Sequence, residues 1–338
     1  MCFNKYDMND MKSLVENFPA QLREALEIGS KAKLSGPKRT VKNVLITGLG
    51  GSGIGGTIAA EIVFNESPVP ITVNKDYFLP AFVNEDTLVI VCSYSGNTEE
   101  TVQAFESAIK KNAMIACVTS GGKIAEIASS KKYDTIIIPG SMPPRACLGY
   151  SLVQLFYILN RYGISGEDFK KQFASAISLL EKEKNNILEE SEKLGDFFAG
   201  KIPVIYAVEG YNGVATRFRQ QINENSKMLC WHNILPEMNH NELVGWAGKN
   251  ENLAVLILRN KSDFSRTQAR LEISSEVFKK YTPHVKELWS KGDSHIERVL
   301  YLIHLTDYVS VILADKRKID AMEVNIINHL KGELAKIN

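Results

Sequence analysis

Ser93-Tyr94-Ser95-Gly96-Asn97-Thr98-Glu99-Glu100-Thr101 stands between two different kinds of sequence. Residues 88–92 (LVIVC) form the short apolar, β-branched run of a buried parallel strand, and no Pro or Gly interrupts the chain from Thr98 to Asn112, as a helix requires. A strand therefore ends where a helix begins. The first backbone N–H groups of that helix lack intrahelical partners and carry the positive end of its dipole, so the hydroxyls of Ser93, Ser95 and Thr98 would complete a pocket for a phosphate dianion. The same letters also fit a plain turn in which Asn97 or Thr98 caps the helix.

A second loop bears on that choice. Residues 44–47 read as another apolar strand, and GLGGSGIGG at 48–56 leads into an Ala/Ile-rich helix. Its glycines let backbone approach a ligand closely, with Gly51 and Ser52 at the turn. Gly48, Gly50 and Gly53 also satisfy G-x-G-x-x-G, the dinucleotide fingerprint, which calls for an acidic residue at the end of the next strand, roughly 20 residues on. The candidate strand PITVN ends in Asn74, followed by Lys75 and Asp76. A dinucleotide leaves the hydroxyl-rich loop at 93–101 unexplained, whereas one phosphate held between two Gly/Ser loops uses both.

Length and composition bound the class. At 338 residues the prior of roughly 150 residues per domain suggests two domains, each large enough to bury a core. No apolar run reaches the roughly 18 residues of a membrane span, and residues 1–9, with Lys5 and Asp7, lack the apolar stretch of a secretory leader. With 40 Lys+Arg against 39 Asp+Glu there is no basic field for nucleic acid. Cys2, Cys92, Cys117, Cys147 and Cys230 form no C-x-x-C pair, and Cys92 and Cys117 lie in strand-like runs. Buried, reduced thiols in a cytoplasmic protein are the expectation.

Along the chain, residues 10–34 read as an amphipathic helix around Pro19, with Met11, Leu14, Val15, Phe18, Leu22 and Leu26 on related faces, packed across the lobes. Apolar strands recur at 43–47, 70–73, 88–92, 114–118 and 134–138 with helical segments between them. That alternation predicts a parallel, doubly wound sheet. Residues 151–194 are mostly helical, and the charged run EKEKNNILEESEK at 181–193 reads as a solvated helix face or the interlobe connection rather than a binding surface. A second alternation has strands at 202–208, 253–258 and 285–289, and two helices follow at 294–314 and 320–335. The expected fold is α/β: a helical segment at 1–34, a phosphate-binding lobe at 35–160, a helical connection at 161–194, and a second lobe with C-terminal helices at 195–338. Each lobe is expected to be a mainly parallel sheet flanked by helices, although the second has no obvious copy of the phosphate loops.

With both loops in place, the chain resembles the sugar isomerase (SIS) domain superfamily, whose members bind phosphorylated sugars. GLGGSGIGG at 48–56, SYSGNTEET at 93–101, PPRACLGY at 143–150, INENSK at 222–227 and PEMNHNELVGW at 236–246 are similar, in that order, to the bifunctional phosphoglucose/phosphomannose isomerases. The resemblance implies two SIS-type lobes and an aldose–ketose isomerase. Such an enzyme interconverts fructose 6-phosphate with glucose 6-phosphate, and in the bifunctional members with mannose 6-phosphate, through a cis-enediol(ate) and without metal or cofactor. The phosphate would sit on Gly51, Ser52, Ser93, Ser95 and Thr98.

The reaction needs a base to move a proton between C1 and C2. Glu224 lies in a helical segment where Arg217, Gln221 and Glu224 fall at i, i+4 and i+7 and share a face. Charge pattern alone makes this a surface ion-pairing face; the resemblance makes Glu224 the base, since INENSK matches the segment that supplies it. Ring opening needs an acid/base group, and His240, in an Asn-rich loop after Pro236, fits that step. In the family the matching histidine comes across a dimer interface, which implies a homodimer. His232, Glu237, His240 and Glu242 could instead suggest a metal site, but no regular helix aligns them and an enediol shuttle needs no metal. Arg145 matches the family arginine that stabilises enediolate charge, against the alternative of a solvent-exposed arginine after a Pro-Pro turn. Lys316 matches a ring-opening lysine about two turns beyond Asp307-Tyr308-Val309-Ser310, although a lysine in a last helical turn is also common for dipole reasons.

Relatives commonly carry threonine where Val309 aligns, a residue associated with handling both C2 epimers, and a slip of one position would put Ser310 or Thr306 in that role. Mannose 6-phosphate activity is therefore the point this chain leaves open. Three other readings compete: an isomerase of another phosphosugar, a non-catalytic regulatory phosphosugar-binding protein, which retention of Glu224, His240 and Arg145 together opposes, and a dinucleotide enzyme. No DNA-binding segment is visible beside the helices at either end.

Overall fold

The computed structural model describes residues 10–248 and 250–337; the reading of residues 1–9 and of Cys2 lies outside the described residues. The amphipathic start forms two helices, α1 (Met11–Glu16) and α2 (Phe18–Lys31). Asn17 ends the first and begins the second, with Pro19 in the first turn of α2, where its missing N–H costs nothing. α2 packs on the helices of the connection and α1 on the long helix of the second half, so the segment does cross between the halves.

The first half runs β1 (Asn43–Thr47), α3 (Gly50–Ile62), β2 (Ile71–Asn74), β3 (Thr87–Ser93), α4 (Glu99–Lys110), β4 (Met114–Thr119), α5 (Gly122–Lys131) and β5 (Asp134–Ile137). Its five strands lie in the order β2-β1-β3-β4-β5, with every pairing parallel. All seven residues of β3 are buried, which explains their unbroken apolar run: helices cover both faces of a parallel sheet. Three helices follow, α6 (Leu148–Arg161), α7 (Phe169–Lys182) and α8 (Lys184–Phe198).

The second half runs β6 (Ile202–Val208), α9 (Asn212–Ser226), β7 (Trp231–Leu235), α10 (Glu242–Gly245), β8 (Leu253–Arg259), α11 (Ser265–Tyr281), β9 (Val285–Trp289), α12 (His295–Lys316) and α13 (Asn325–Leu334). Its sheet has the order β7-β6-β8-β9, again all parallel, and so repeats the 2-1-3-4 order of the first. Strand β7 was not expected, because WHNIL is a short edge strand with only its last two residues buried. The helix expected over 320–335 begins only at Asn325, and residues 320–324 are not helical, with a bend at 321–322; no residue of α13 is buried.

One hydrophobic cluster, from Met11 on α1 to Leu313 on α12, includes buried residues of both sheets and of α6 to α9. A smaller one, with Val89, Val91, Phe105 and Cys117, covers the other face of the first sheet. The two sheets therefore share a core. Cys92, Cys117 and Cys147 are buried free thiols and Cys230 is half-buried; burial pushes the Cys92 and Cys147 thiols up to about 12. Among the described residues no helix is long and apolar enough to cross a membrane.

Two polar contacts brace this core, one inside the second half and one between the halves. Arg217 of α9 donates to Asp307 of α12 from Nε at 3.1 Å and from Nη2 at 2.6 Å, with both side chains buried. Burial pushes the Asp307 carboxyl up and the guanidinium opposes it. The second contact joins α3 to α9: both carboxylate oxygens of Glu61 accept from the Gly213 N–H at 3.0 Å. In the repeated topology α9 stands where α3 stands in the first half. Glu61 thus occupies, for the second half, the helix N-terminus that the first half leaves for an anion. Burial is the main cause that raises the Glu61 carboxyl to about 7, helped by Glu209 and opposed by the Gly213 amide and Lys75.

Deleting one partner of a buried ion pair leaves the other uncompensated, so Asp307→Ala is expected to lose about 3–5 kcal/mol in urea unfolding; Arg217→Met with Asp307→Leu is expected to recover most of that loss. For Glu61 the sign runs the other way from a salt-bridged acid. Its folded-state value lies above the ordinary 4.5, so the folded state holds the extra proton between these values and stability falls as pH rises through that window. Thermal unfolding across pH should find Glu61→Gln equal to wild type near pH 4.5 and more stable, by on the order of 1–3 kcal/mol, above pH 7.

Candidate active site

Strands β1 and β3 are neighbours and parallel, so the loops at their C-terminal ends lie side by side. The α3 N-terminus has no side-chain cap, and neither has that of α4: Thr98 stands at the cap position without bonding the helix amides. Its hydroxyl is instead paired with that of Ser93 at 3.1 Å. Ser93 Oγ also accepts from Gly96 N at 3.2 Å, Ser95 Oγ from Asn97 N at 3.3 Å, and Ser52 Oγ from Tyr94 N at 3.2 Å, the contact that joins the two loops. Gly96 has φ +68°, and a Cβ there would lie 1.7 Å from Gly121 O, so no side chain fits. Open helix amides, hydroxyls and close backbone together form a cradle for an oxyanion without a lysine.

Gly51 connects this cradle to the next motif, since a Cβ on it would meet Pro144 O at 3.0 Å and Arg145 Cα at 3.7 Å. Pro144–Ala146 is a tight helical turn ahead of α6. Gln21 of α2 holds it, donating to Ala146 O at 2.8 Å and accepting from Gly149 N at 2.7 Å. Arg145 is 6% exposed, which removes the alternative of a solvent-facing arginine. Its Nη1 lies 3.6 Å from Glu224 Oε2, its Nε donates to Asn225 Oδ1 at 2.8 Å, and its Nη2 donates to Ala321 O at 2.6 Å and Met322 O at 3.2 Å. Burial disfavours the guanidinium's charge, and Glu224 and Asp320 offset that cost.

Glu224 is in the last turn of α9, with its side chain 31% exposed. The face it shares with Arg217 and Gln221 is an inner one, where both are buried, and not a surface ion-pairing stripe. Arg217 does not serve Glu224: besides Asp307 it donates from Nη2 to Arg145 O at 3.0 Å. The cations beside Glu224 are Arg145 and Lys227. The Lys227 ammonium donates to the carbonyls of Glu224 and Asp320, and burial, then Arg145, lowers its pKa. Lys227 and the segment at 320–322 were missed. The INENSK motif contained the lysine, but nothing in the sequence showed three successive carbonyls receiving two cations.

The remaining candidates fall elsewhere in the chain. His240 is exposed at the end of the turn Glu237–His240, which follows β7, and makes no hydrogen bond or ion pair among the described residues. Lys316 is exposed and pairs with Asp196 at 2.7 Å and Glu192 at 3.7 Å, so the acidic face of α8, part of the charged run at 181–193, takes it. Val309 is completely buried in the core. The hydroxyl that faces the Glu224 segment is that of Ser310, which accepts from Asn225 Nδ2 at 2.9 Å, while Thr306 bonds back to its own helix. Of the residues considered as metal ligands, Glu242 accepts from Tyr206, Trp231 and Asn233, and His232 is held by Thr216 and Asn212. Burial, then Arg219, lowers the His232 pKa to about 4. Among the described residues no three His, Cys, Asp or Glu side chains are grouped to hold a metal ion. The dinucleotide fingerprint lacks its acid as well, because β2 ends at Asn74, whose amide is spent on Thr47 Oγ1 and Asp76 O.

Known proteins resemble this chain in sequence and fold. The family described as bacterial phospho-glucose isomerase C-terminal SIS domain matches residues 187–334. The chain is 37% identical to the bifunctional phosphoglucose/phosphomannose isomerase of Caldicellulosiruptor bescii, over 96% of this chain and 98% of that one. With the protein of that name from Aquifex aeolicus the identity is 35%, over 87% and 91% of the two chains. In fold it is similar to the C-terminal domain of glucosamine-fructose-6-phosphate aminotransferase from Francisella tularensis, with a TM-score of 0.74 and 15% identity over 93% of this chain and 98% of that one. The phosphate-type cradle, the pairing of buried Arg145 with Glu224 and likeness over nearly the whole length agree: the chain belongs to the bifunctional phosphoglucose/phosphomannose isomerase family.

Proposed function

We propose that the protein isomerises fructose 6-phosphate and glucose 6-phosphate, with mannose 6-phosphate as a further product, and that Glu224 and Arg145 carry the proton transfer. The observation that supports this most directly is the 3.6 Å pair of a partly exposed carboxylate and a buried guanidinium, set beside an uncapped, hydroxyl-lined cradle. The cradle of Gly51, Ser52, Ser93, Ser95 and Thr98 holds the phosphate, leaving the carbonyl end of the open-chain sugar to reach Glu224. In the direction from aldose to ketose, Glu224 takes the C2 proton, the carbonyl oxygen becomes an enediolate oxygen held by Arg145, the O2 hydroxyl proton passes to O1 as C2 becomes the carbonyl, and the proton held by Glu224 returns to C1. Nothing is oxidised overall, and no metal or cofactor enters the step. The open-chain sugar is formed first, with His240 of the partner subunit as the acid/base at the ring oxygen in a homodimer. Lys316 joins ring opening only by exchanging Asp196 for substrate. With no basic field and reduced cysteines, the enzyme works in the cytoplasm.

The test is turnover of fructose 6-phosphate by purified, chelator-treated protein, with glucose and mannose 6-phosphate resolved. Glu224→Gln is expected to lose on the order of 10² to 10⁴ in kcat with KM little changed. Wild type that binds phosphosugars but turns none over would replace this reading with a regulatory binding protein. In the same assay Val309→Thr is expected to raise the share of mannose 6-phosphate if position 309 governs the epimer, and an unchanged ratio would remove Val309 from that role.

A further inference from the structure

Asn225 is the residue whose placement the reaction scheme does not use. It follows the base directly in sequence, has no exposed surface, and spends both ends of its amide on specific partners. Its Oδ1 accepts from Arg145 Nε at 2.8 Å, and its Nδ2 donates to Ser310 Oγ at 2.9 Å. Ser310 Oγ in turn donates its one hydrogen to Asp307 O at 2.6 Å, so toward Asn225 it can only accept. That settles which way the amide faces. A flipped amide would set NH2 against the N–H of a guanidinium and its oxygen against a hydroxyl that has no hydrogen left to give.

The orientation relayed from α12 fixes what Arg145 can do. A guanidinium has five N–H donors. The Nε hydrogen goes to Asn225, and the Nη2 pair goes to the carbonyls of Ala321 and Met322. Nη1 remains, 3.6 Å from Glu224 Oε2. We infer that Asn225 is a positioning residue for the isomerisation: by holding Nε it keeps the remaining Nη1 edge turned to Glu224 and to the enediolate oxygens. This rests on the isomerase reading above. Alanine at 225 would leave a buried N–H without an acceptor, and the guanidinium would turn to find one, taking Nη1 away from the reacting carbons.

The experiment pairs steady-state kinetics on fructose 6-phosphate with calorimetric titration of two ligands, 6-phosphogluconate, whose carboxylate stands for the enediolate oxygens, and glucitol 6-phosphate, which has no charge at C1. Wild type should prefer the acid. In Asn225→Ala, kcat is expected to fall about 10²-fold, the cost of a misplaced catalytic group. KM and glucitol 6-phosphate binding should be nearly unchanged, since the phosphate cradle is separate, while the preference for the acid should be lost. Asn225→Asp, which keeps an acceptor for Nε, should restore part of both. Ser310→Ala, which frees only the far end of the amide, should give a smaller loss of the same kind and carries the test if Asn225→Ala does not fold. Folded Asn225→Ala with wild-type kcat, or with low kcat and an intact acid preference, would overturn the inference. Wild type that prefers the acid yet turns over no hexose phosphate would sink the isomerase reading alone, and the loss or retention of that preference in the variants would still judge Asn225.

Discussion

Arg217 and Asp307 carry two full charges into a core where neither is tolerable alone, and the rest of the site is assembled around their bond. Burying an ion costs several kcal/mol, and only a bidentate partner in low dielectric offsets it, so the pair forces α9 and α12 into one relative position. The guanidinium then has a donor left for the carbonyl of Arg145, which ties the Pro144–Ala146 turn of the first half to both helices of the second. Asn225, Ser226 and Ser310 add neutral hydrogen bonds along the same α9–α12 seam. Glu224 and its neighbouring cation Arg145 thus sit on different halves of the chain and are joined to one buried network.

The site divides its electrostatics by function. At the cradle the donors are helix amides and hydroxyls, partial charges suited to an anion without a counter-cation to compete for the carboxylate. Beside Glu224 the donor is a buried guanidinium, a full charge whose hydrogen bonds to Asn225 and to two backbone carbonyls leave one nitrogen facing the carboxylate. In the proposed reaction, charge that exists throughout would be met by dipoles, and charge that develops only at the enediolate by a preorganised ion.

The repeated sheet order makes the two halves comparable, and the comparison explains why only one leaves this helix N-terminus open to an anion. Both place a helix N-terminus after the strand second in sheet order, α3 after β1 and α9 after β6. In the first half that terminus is glycine-rich and open. In the second it already holds the Glu61 carboxylate from the first half. The anion site of one half has become an internal contact that joins the two.

Much of this was legible in the letters. The alternation of apolar runs and helical segments predicted the first sheet strand by strand, because buried parallel strands are written as continuous hydrophobics, and the loops at 48–56 and 93–101 announced themselves by residue types that few other structures need. Short edge strand β7 was invisible for the opposite reason, since a strand buried at one end only has no pattern to read. Helical spacing correctly put Arg217, Gln221 and Glu224 on one face, but spacing says nothing about what lies opposite, and the face proved to be internal. Lys316 likewise followed its motif and ended beside α8, because the carboxylates of Asp196 and Glu192 are near only after folding. The sequence by itself determined the elements, the phosphate-type loops and the residue types of the site, all of which depend on neighbours a few positions apart. Only the tertiary structure decided which cation faces Glu224, that Arg217 belongs to Asp307, and that the segment at 320–322 seats Arg145, since each depends on groups from distant segments meeting in a core where an unpaired charge cannot remain.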